Sequence, residues 1–472
     1  MKRWFVFMLV LALCALISVG LLACGGGENA PAEDAKPVLM AGFGQEDITP
    51  QGSVPMGGYG KSSQRMSEGV AYPLYATCVA FSYGDEKVLL FSQDLINSQW
   101  ADTVRPMISN ATGVPKDRIM ICATHTHHTP DQGNNDKSIK AYQQLYITAM
   151  IKAAQDALED CAPATLYLGE TKTEGLNFVR HYQLSDGTYG GDNFGDFSAN
   201  TIIGHATEGD PQMVVLRVAR GEKKGITLVN WQAHPCKTDG GSKNRLISPD
   251  FITAFRTYYE NMSGMHFAYF TGAAGNQNLS TRIPSEDNHL DFWQLGEKLA
   301  QIALETAQGA TLLEGEGIST VQEDHEFAMN HDKENMLAEA QEVVNFWQST
   351  NNSEANVLAR KYGFSSVYEA SAIRSRPGRP ATSTYEINAM NIGGFSLVTV
   401  PYEMFSGPAL YVKENSPFQN TMIFSCANGS NGYFPTEEAY DYLSYEGTTA
   451  RFARGCAEDS AEALVKLLEQ VQ

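Results

Sequence analysis

The amino-acid sequence predicts an α/β protein in which a mixed, largely buried β-sheet is flanked by α-helices in a single large domain. Short apolar runs alternate along the chain with longer runs whose apolar residues recur at helical spacing. About 435 residues follow Pro37, enough for a large core, and they contain no internal repeat and no second linker. This alternation favours a sheet that is mostly covered by helices.

Eight apolar runs are predicted strands, and four amphipathic runs are predicted helices. The strands are Lys87–Leu95, Arg118–Thr124, Thr165–Leu168, Met213–Val218, Ile226–Trp231, His266–Phe270, Phe395–Val400 and Thr421–Phe424. The helices are Lys140–Leu158, Asp291–Thr306, Asn335–Gln348 and Thr448–Val471. The last helix is expected to place Phe452, Cys456 and Leu464 on its core-facing side.

Residues 1–24 are predicted to be a lipoprotein-type signal peptide. Lys2 and Arg3 precede the apolar run Trp4–Ala23, and Leu21–Cys24 resembles a bacterial lipobox whose cysteine is lipidated. A leader cleaved without lipid and a single anchoring helix remain open, because the run is long enough to span a bilayer. All three interpretations place the body of the protein outside the cytoplasm, either anchored in the bacterial cell envelope or secreted.

Residues 25–37 (GGGENAPAEDAKP) are predicted to form a flexible tether, since Gly, Pro, Ala and acidic residues offer nothing to bury. The folded domain then spans residues 38–472. The formal net charge of −20 argues against nucleic acid as a partner and against electrostatic binding to anionic lipid. Contact with a membrane would therefore use the lipid anchor at Cys24 or apolar surface.

The strongest functional signal is the segment Ala123–Pro130, which reads Ala-Thr-His-Thr-His-His-Thr-Pro. It follows a predicted strand, and ligands in open α/β sheets bind beyond strand ends. In an extended chain His125 and His127 would point to the same side. Two imidazoles that converge on one point are the beginning of a zinc site, whereas the alternative is a turn that happens to be rich in histidine.

Other unusual polar residues also follow predicted strands. His234 follows Ile226–Trp231, and Glu403 follows Phe395–Val400. The polar segments 271–278 and 428–433 follow two further strands. Each segment alone is weak evidence, but imidazoles and a carboxylate together form a ligand set used by catalytic zinc.

In chain order, these segments resemble motifs of the catalytic domain of neutral (non-lysosomal) ceramidases. The motifs are Ala41–Pro50 with Met56–Tyr59, Thr124–His127, Asn230–Pro235, Val400–Glu403, and Tyr433–Glu438 with Tyr445–Gly447. The resemblance implies one zinc ion per chain, held by His125, His234, Glu403 and Tyr433. A tyrosine ligand is chemically reasonable because a dication lowers the pKa of a bound phenol.

The resemblance also implies roles for residues that do not bind the metal. His127 would move a proton, and Tyr445 would donate a hydrogen bond to the carbonyl oxygen in the tetrahedral intermediate. Arg180, in Asn177–Arg180, resembles the active-site arginine of the family. Asp94 is a candidate for supporting the site from outside the ligand set.

Two features differ from the family pattern. The family has a Gly-Asp-Val-Ser-Pro-Asn motif with an active-site serine, whereas Gly275–Ser280 here reads Gly-Asn-Gln-Asn-Leu-Ser and places Asn278 at the serine position. Asn278 is therefore a candidate active-site residue, and Ser280 is out of register. Typical ceramidases continue into a C-terminal immunoglobulin-like domain, and no such domain is expected here. Both differences leave the substrate open.

The resemblance implies an extracytoplasmic zinc-dependent amidohydrolase that cleaves the N-acyl amide of ceramide into a sphingoid base and a fatty acid. One alternative keeps the zinc chemistry and changes the substrate to another amide or ester. A second is a lipid- or solute-binding lipoprotein without turnover, whose pocket would hold no metal. A serine hydrolase is not indicated, because the chain has no Gly-x-Ser-x-Gly motif.

Overall fold

Helices and strands alternate along the chain, so the predicted α/β class is confirmed. The structure is a computed structural model that describes residues 36–60, 62, 65–192 and 197–472. The predicted leader and all but the last two residues of the predicted tether lie outside the described residues. Val38–Gln472 forms one compact unit.

The part of the chain that the structure describes contains ten α-helices. They are α1 (Ala101–Thr112), α2 (Lys137–Glu159), α3 (Phe251–Ser263), α4 (Phe292–Gln308), α5 (Leu337–Ser349), α6 (Asn352–Lys361), α7 (Val367–Arg374), α8 (Ser406–Asn415), α9 (Tyr445–Thr449) and α10 (Cys456–Gln470). Within the described ranges, none of these helices is both long and apolar enough to cross a lipid bilayer.

The described residues also form 23 strands. They are β1 (Met40–Asp47), β2 (Gly69–Val70), β3 (Tyr75–Tyr83), β4 (Glu86–Gln93), β5 (Ile119–Ala123), β6 (Ala162–Pro163), β7 (Thr165–Lys172), β8 (Phe178–Val179), β9 (His181–Leu184), β10 (Tyr189–Gly191), β11 (Ile202–His205), β12 (Gln212–Arg220), β13 (Lys223–Trp231), β14 (Leu246–Ile247), β15 (His266–Thr271), β16 (Gln277–Asn278), β17 (Thr311–Leu312), β18 (Ile318–Ala328), β19 (Thr382–Ile392), β20 (Phe395–Thr399), β21 (Glu403–Met404), β22 (Thr421–Phe424) and β23 (Tyr433–Phe434).

Three larger sheets organise the fold, and each ends in one parallel pair. Their strand orders are β5-β4-β3-β1-β6, β15-β13-β12-β7-β17 and β18-β19-β20-β22. The pairs β4/β5, β13/β15 and β20/β22 are parallel, whereas the remaining pairs in these sheets are antiparallel. The sheets are therefore mixed, as predicted.

The three sheets share one apolar core, which brings the ends of their parallel strands together. Its fully buried members come from all three sheets and include Leu90, Met120, Leu228, Phe270, Leu397 and Phe424. Backbone hydrogen bonds join the strand ends: the Ala123 amide donates to the Cys426 carbonyl at 3.2 Å, and the Ser425 amide donates to the Thr271 carbonyl at 3.0 Å. The polar segments that follow these strands consequently lie close to one another.

All eight predicted strands are present, but the predicted helix Thr448–Val471 is wrong in its first part. The chain forms the short α9, leaves helical geometry at Ala450 and starts α10 at Cys456, where Gly455 has a left-handed φ of 83°. Between them Phe452 pairs with Met329 in a β-bridge and is buried, although not on a helix. Backbone hydrogen bonds join residues 451–453 to residues 328–330. This pairing holds Phe452 in extended backbone, although the spacing of apolar residues in the sequence fits a helix.

The segment α5–α7 forms a small helical module with its own apolar core, which includes Val343, Ala359 and Ile373. The sequence predicts only α5, as Asn335–Gln348. In α6, only Ala355 and Ala359 are buried, so the apolar signal is short. This module places side chains on one wall of the cleft described below.

Candidate functional site

The histidine-rich segment leaves β5 by a sharp backbone turn at His125. Its φ is 66°, in the left-handed region that residues with a side chain seldom adopt. The His125 amide donates to the Leu95 carbonyl at 3.0 Å, which fixes the turn. The extended-chain argument for His125 and His127 is therefore wrong in its geometry, but their rings still meet, with centroids 5.2 Å apart.

Three histidines form a group that could hold a metal ion. One nitrogen from each of His125, His127 and His234 lies within 4.8 Å of the other two. The Oε2 atom of Glu403 lies 3.2 Å from Nε2 of both His125 and His234. These three buried atoms form no well-directed hydrogen bond with one another or with any other described group. Buried polar atoms that converge without hydrogen bonding are expected around a cation site.

Backbone carbonyls orient two of the imidazoles. Nδ1 of His125 contacts the Ile96 carbonyl at 2.7 Å, and Nδ1 of His234 contacts the Ala274 carbonyl at 2.8 Å. Because a carbonyl only accepts, Nδ1 carries the proton in each ring. The Nε2 atoms then face Glu403, which is the arrangement of metal-binding histidines held by an outer hydrogen bond.

The histidines and Glu403 strongly shift one another's pKa values. Burial alone would raise the pKa of Glu403, but the neighbouring His125 and His234 hold it well below its usual value. Desolvation and the nearby histidines lower the pKa of His127 well below normal, and burial next to Arg180 lowers that of His234 to about 4. At neutral pH these two imidazoles are uncharged, as metal binding requires. Desolvation also opposes charge on His125, but Glu403 raises the pKa of His125 well above normal.

Tyr433 lies beside Glu403 because the two residues are paired in the parallel strands β21 and β23. The Tyr433 ring lies roughly parallel to the His234 ring, with ring centroids 6.3 Å apart. It meets the Tyr445 ring edge-on, at a centroid distance of 5.6 Å. Burial and the Glu403 charge raise the pKa of Tyr433 well above its usual value. Without a cation Tyr433 is therefore a neutral phenol, and its role as a ligand stays a prediction.

A cleft with a volume of about 850 Å³ opens beside the histidine group. The four residues with predicted catalytic roles all line it: His127, Arg180, Asn278 and Tyr445. His234 and Tyr433 line it too. The structure thus brings together residues from five separated sequence motifs.

Arg180 is fixed by a buried ion pair that the sequence analysis missed. Its Nη2 atom lies 2.7 Å from Oε1 of Glu446 and donates to the Gly275 carbonyl at 2.8 Å. The other oxygen of Glu446 contacts Nε2 of His181 at 2.7 Å. Burial raises the pKa of Glu446, but Arg180 and His181 outweigh it and lower the pKa to about 2. Glu446 directly follows Tyr445 in the motif Tyr445–Gly447, and this position was the signal in the sequence that could have identified it as a site residue.

Asn278 is tied to its neighbours through both ends of its amide. Its Nδ2 atom donates to Oδ2 of Asp192 at 2.9 Å, and its Oδ1 atom accepts from Nη1 of Arg180 at 3.5 Å. The pairing of β16 with β8 places Asn278 opposite Phe178, two residues before Arg180. Asn278 therefore links the arginine to a half-buried carboxylate at the wall of the cleft.

Two glycines allow the backbone to approach the site closely. A Cβ atom at Gly58, whose φ is 96°, would lie 2.6 Å from Cβ of His127. A Cβ atom at Gly275 would lie 2.5 Å from the Glu403 carbonyl oxygen. Such distances are far shorter than carbon contacts allow, so any side chain at either position would displace a histidine or carboxylate of the group.

Comparison with solved structures identifies the architecture. The chain matches the neutral ceramidase from Pseudomonas aeruginosa with a TM-score of 0.67 at 17% identity, over 92% of this chain and 75% of that chain. It matches a ceramidase complexed with C2 with a TM-score of 0.66 at 16% identity, with the same coverage. The protein has a neutral ceramidase-like fold. No family model and no curated protein matches the sequence.

The ceramidase-like fold confirms the predicted resemblance, and the structure adds contacts that no sequence motif indicated. Asp94 is buried in an ion pair with Arg256, with distances of 3.0 and 2.9 Å. It accepts the Tyr75 amide at 3.0 Å and also interacts with the side chain of Thr124, the residue before His125. Trp347 and Tyr368 of the α5–α7 module form the outer wall of the cleft. Their contribution depends on tertiary packing that the sequence pattern did not reveal.

Proposed function

We propose that this protein is an extracytoplasmic zinc-dependent hydrolase that cleaves an acyl amide or ester bond. The observation that carries the proposal is the convergence of Nε2 of His125, Nε2 of His234 and Oε2 of Glu403, in which the carboxylate oxygen lies 3.2 Å from each nitrogen without a well-directed hydrogen bond. The ceramidase-like fold supports the same chemistry.

The residues present fit a zinc ion. Two imidazoles and one carboxylate form a common ligand set of catalytic zinc, and the nearby Tyr433 offers a fourth, oxygen ligand. A bound zinc ion supplies Lewis acidity and makes water nucleophilic at neutral pH. His125, His234, Glu403 and Tyr433 would hold it.

The remaining cleft residues bind and polarise the substrate. His127 is uncharged at neutral pH, because desolvation lowers its pKa, and it can accept a proton. Arg180 keeps its positive charge beside Glu446 and presents it to the cleft. Tyr445 is protonated, since burial raises its pKa, and its hydroxyl can donate to a developing oxyanion.

Thiol chemistry does not fit the same cleft. Cys236 lines it, but burial and then the Asp250 charge raise the pKa of its thiol to about 12. A thiol must ionise to act as a nucleophile, and this one stays protonated at neutral pH. A purely ligand-binding protein is the remaining alternative, and it gives no reason for the hydrogen-bond-free histidine and carboxylate atoms.

Ceramide is the first substrate to test, because both matched structures are ceramidases. Asn278 stands where the family motif has serine, and its amide contacts both Asp192 and Arg180. We propose that this residue shifts preference from ceramide to another acyl amide or ester, since an amide and a hydroxyl present different donors to a substrate.

Cell-envelope anchoring through a lipid at Cys24 is part of the proposal and rests on the sequence Leu21–Cys24. Mass spectrometry of the mature N-terminus tests it. A lipid-modified Cys24 is expected, and an unmodified N-terminus at another residue would contradict it.

The hydrolase proposal is tested by an activity screen over ceramide, N-acyl amino acids and simple esters. We expect turnover of at least one substrate, loss of turnover after chelation and recovery with added zinc. Glu403→Gln is the matched variant, because it keeps the side-chain shape and removes the ligand charge. Turnover that persists unchanged in the chelated protein and in Glu403→Gln would contradict a zinc mechanism.

A further inference from the structure

The charge of the cleft is opposite to that of the chain. The formal net charge is −20, yet no aspartate or glutamate lines the described part of the cleft. Its lining contains four cationic side chains instead: Arg65, Arg180, Lys243 and Arg245. Arg180 has a buried carboxylate partner in Glu446, whereas none of the other three has a buried one among the described residues.

Arg65 is a buried guanidinium that has no carboxylate partner among the described residues. It is 4% exposed, and its Nη1 atom donates to the carbonyls of Gly57 at 2.7 Å and His127 at 2.9 Å. Nη2 donates to the Asn244 carbonyl at 3.1 Å, whereas the buried Nε has no described acceptor. Neutral carbonyls satisfy hydrogen bonds without neutralising the charge, so a buried cation here favours an anion nearby.

Arg245 and Lys243 place two more positive charges at the mouth of the cleft. Both are exposed. Arg245 contacts Glu68 at 3.3 Å, but this pair is solvent-exposed and contributes little neutralisation. Lys243 has no ion-pair partner in the described ranges. The charge of Arg245 also contributes to lowering the pKa of Arg65, so these two like charges lie close together.

The uncharged walls of the cleft are aromatic rather than aliphatic. No Leu, Ile, Val or Met side chain lines it in the described structure. Trp347, Tyr368 and Tyr445 form one wall through edge contacts, with centroid distances of 5.5 Å and 5.4 Å between successive rings. The cleft therefore offers flat aromatic surface to an apolar group and little aliphatic surface to a long acyl chain.

We propose that the cleft binds an acyl amide or ester that carries a carboxylate, with Arg65, Lys243 and Arg245 as the carboxylate site and the aromatic wall as the site for a ring or short apolar group. This assignment rests on the proposed function for the cleavage step, but the anion site stands on its own geometry. The buried charge of Arg65 has no carboxylate partner among the described residues, and the exposed cations at the mouth attract anions from solution.

Binding of two non-hydrolysable probes tests the anion site separately from catalysis. Phenylpropionate carries a carboxylate, and phenylpropanol is its neutral counterpart. By titration calorimetry of the zinc-loaded protein, we expect phenylpropionate to bind at least about 10-fold more tightly at low salt. Raising the salt from about 20 mM to about 300 mM should reduce that preference, because rim charges are screened.

The double variant Lys243→Glu/Arg245→Glu reverses two exposed charges and leaves the zinc ligands intact. It should lower the preference for phenylpropionate to about 2-fold or less, which separates the cationic mouth from binding of carboxylate by the metal. Lys298→Glu is the matched control, because Lys298 is exposed on α4 and does not line the cleft. It should keep the preference of the wild type.

Equal binding of the two probes, or an unchanged preference in the double variant, would overturn the anion site. Acetate release from N-acetylphenylalanine and from its neutral amide then tests turnover. Release from both at equal rates would support the hydrolase and contradict the carboxylate preference. No release from any screened substrate, with the probe preference intact, would reject the hydrolase and leave the anion site standing.

Discussion

Replacing Glu446 by Gln removes one buried negative charge and keeps the shape of the side chain. Glu446 lies 2.7 Å from both Arg180 and His181, and its side chain is 2% exposed. Its pKa is lowered from 4.5 to about 2. At about 1.4 kcal/mol per pH unit, this difference corresponds to about 3 kcal/mol of folding stability at neutral pH.

The sign of the pH dependence follows from the direction of that pKa change. Because the folded pKa lies below the unfolded one, the stabilisation is complete above pH 4.5 and is lost as the pH falls toward about 2. Urea unfolding followed by circular dichroism should show Glu446→Gln less stable by about 3 kcal/mol at neutral pH. The difference in free energy of unfolding between the wild type and Glu446→Gln should fall to about 1 kcal/mol near pH 3.

A surface ion pair provides the control for this measurement. Asp441 contacts Arg454, and both side chains are exposed. Asp441→Asn should change the free energy of unfolding by less than about 1 kcal/mol. A Glu446→Gln protein as stable as the wild type at neutral pH, or a gap that stays constant down to pH 3, would refute the buried-charge argument.

Three substitutions in the cleft test individual roles. His127→Ala should keep zinc and lose about 10²-fold in turnover if His127 carries a proton; loss of zinc would make it a ligand. Tyr445→Phe should keep zinc and the fold while kcat falls by about 10²-fold; wild-type kcat would make Tyr445 a packing residue. Asn278→Ser should raise hydrolysis of ceramide relative to the preferred substrate, as measured by the ratio of kcat/KM; an unchanged ratio would remove Asn278 from substrate selection.

Local patterns in the sequence predict the strands well because buried strands are short apolar runs. All five residues of β5 and all four of β22 are buried; β5 was predicted to within one residue at each end and β22 with the same bounds. The prediction of one continuous helix over Thr448–Val471 was wrong because Phe452 is buried in a β-bridge with Met329. An apolar residue in the sequence indicates burial but does not show whether a bridge or a helix buries it. The α6 helix was missed because it buries only Ala355 and Ala359, and α7 was missed because it spans only eight residues.

The sequence predicted many of the residues of the candidate site but few of the contacts between them. The order of the motifs in the sequence predicted His125, His234 and Glu403 as metal ligands, and the structure places these three side chains together. The positive φ of His125 could not be predicted, since tertiary hydrogen bonds hold it. The contacts of Glu446 with Arg180 and of Arg65 with His127 could not be predicted, because each joins residues that are far apart in the sequence.

The most direct test of the metal centre is the zinc content of the purified protein, measured by elemental analysis after dialysis against a mild chelator. We expect about one zinc per chain in the wild type and severe loss in His234→Ala and Glu403→Ala, since each removes a ligand from the set. His128→Ala is the matched control, because His128 lies in the same motif but contacts the Gly241 carbonyl instead of the group, and it should keep its zinc. Wild-type protein without zinc, or full zinc in both ligand variants, would contradict the assignment of this centre.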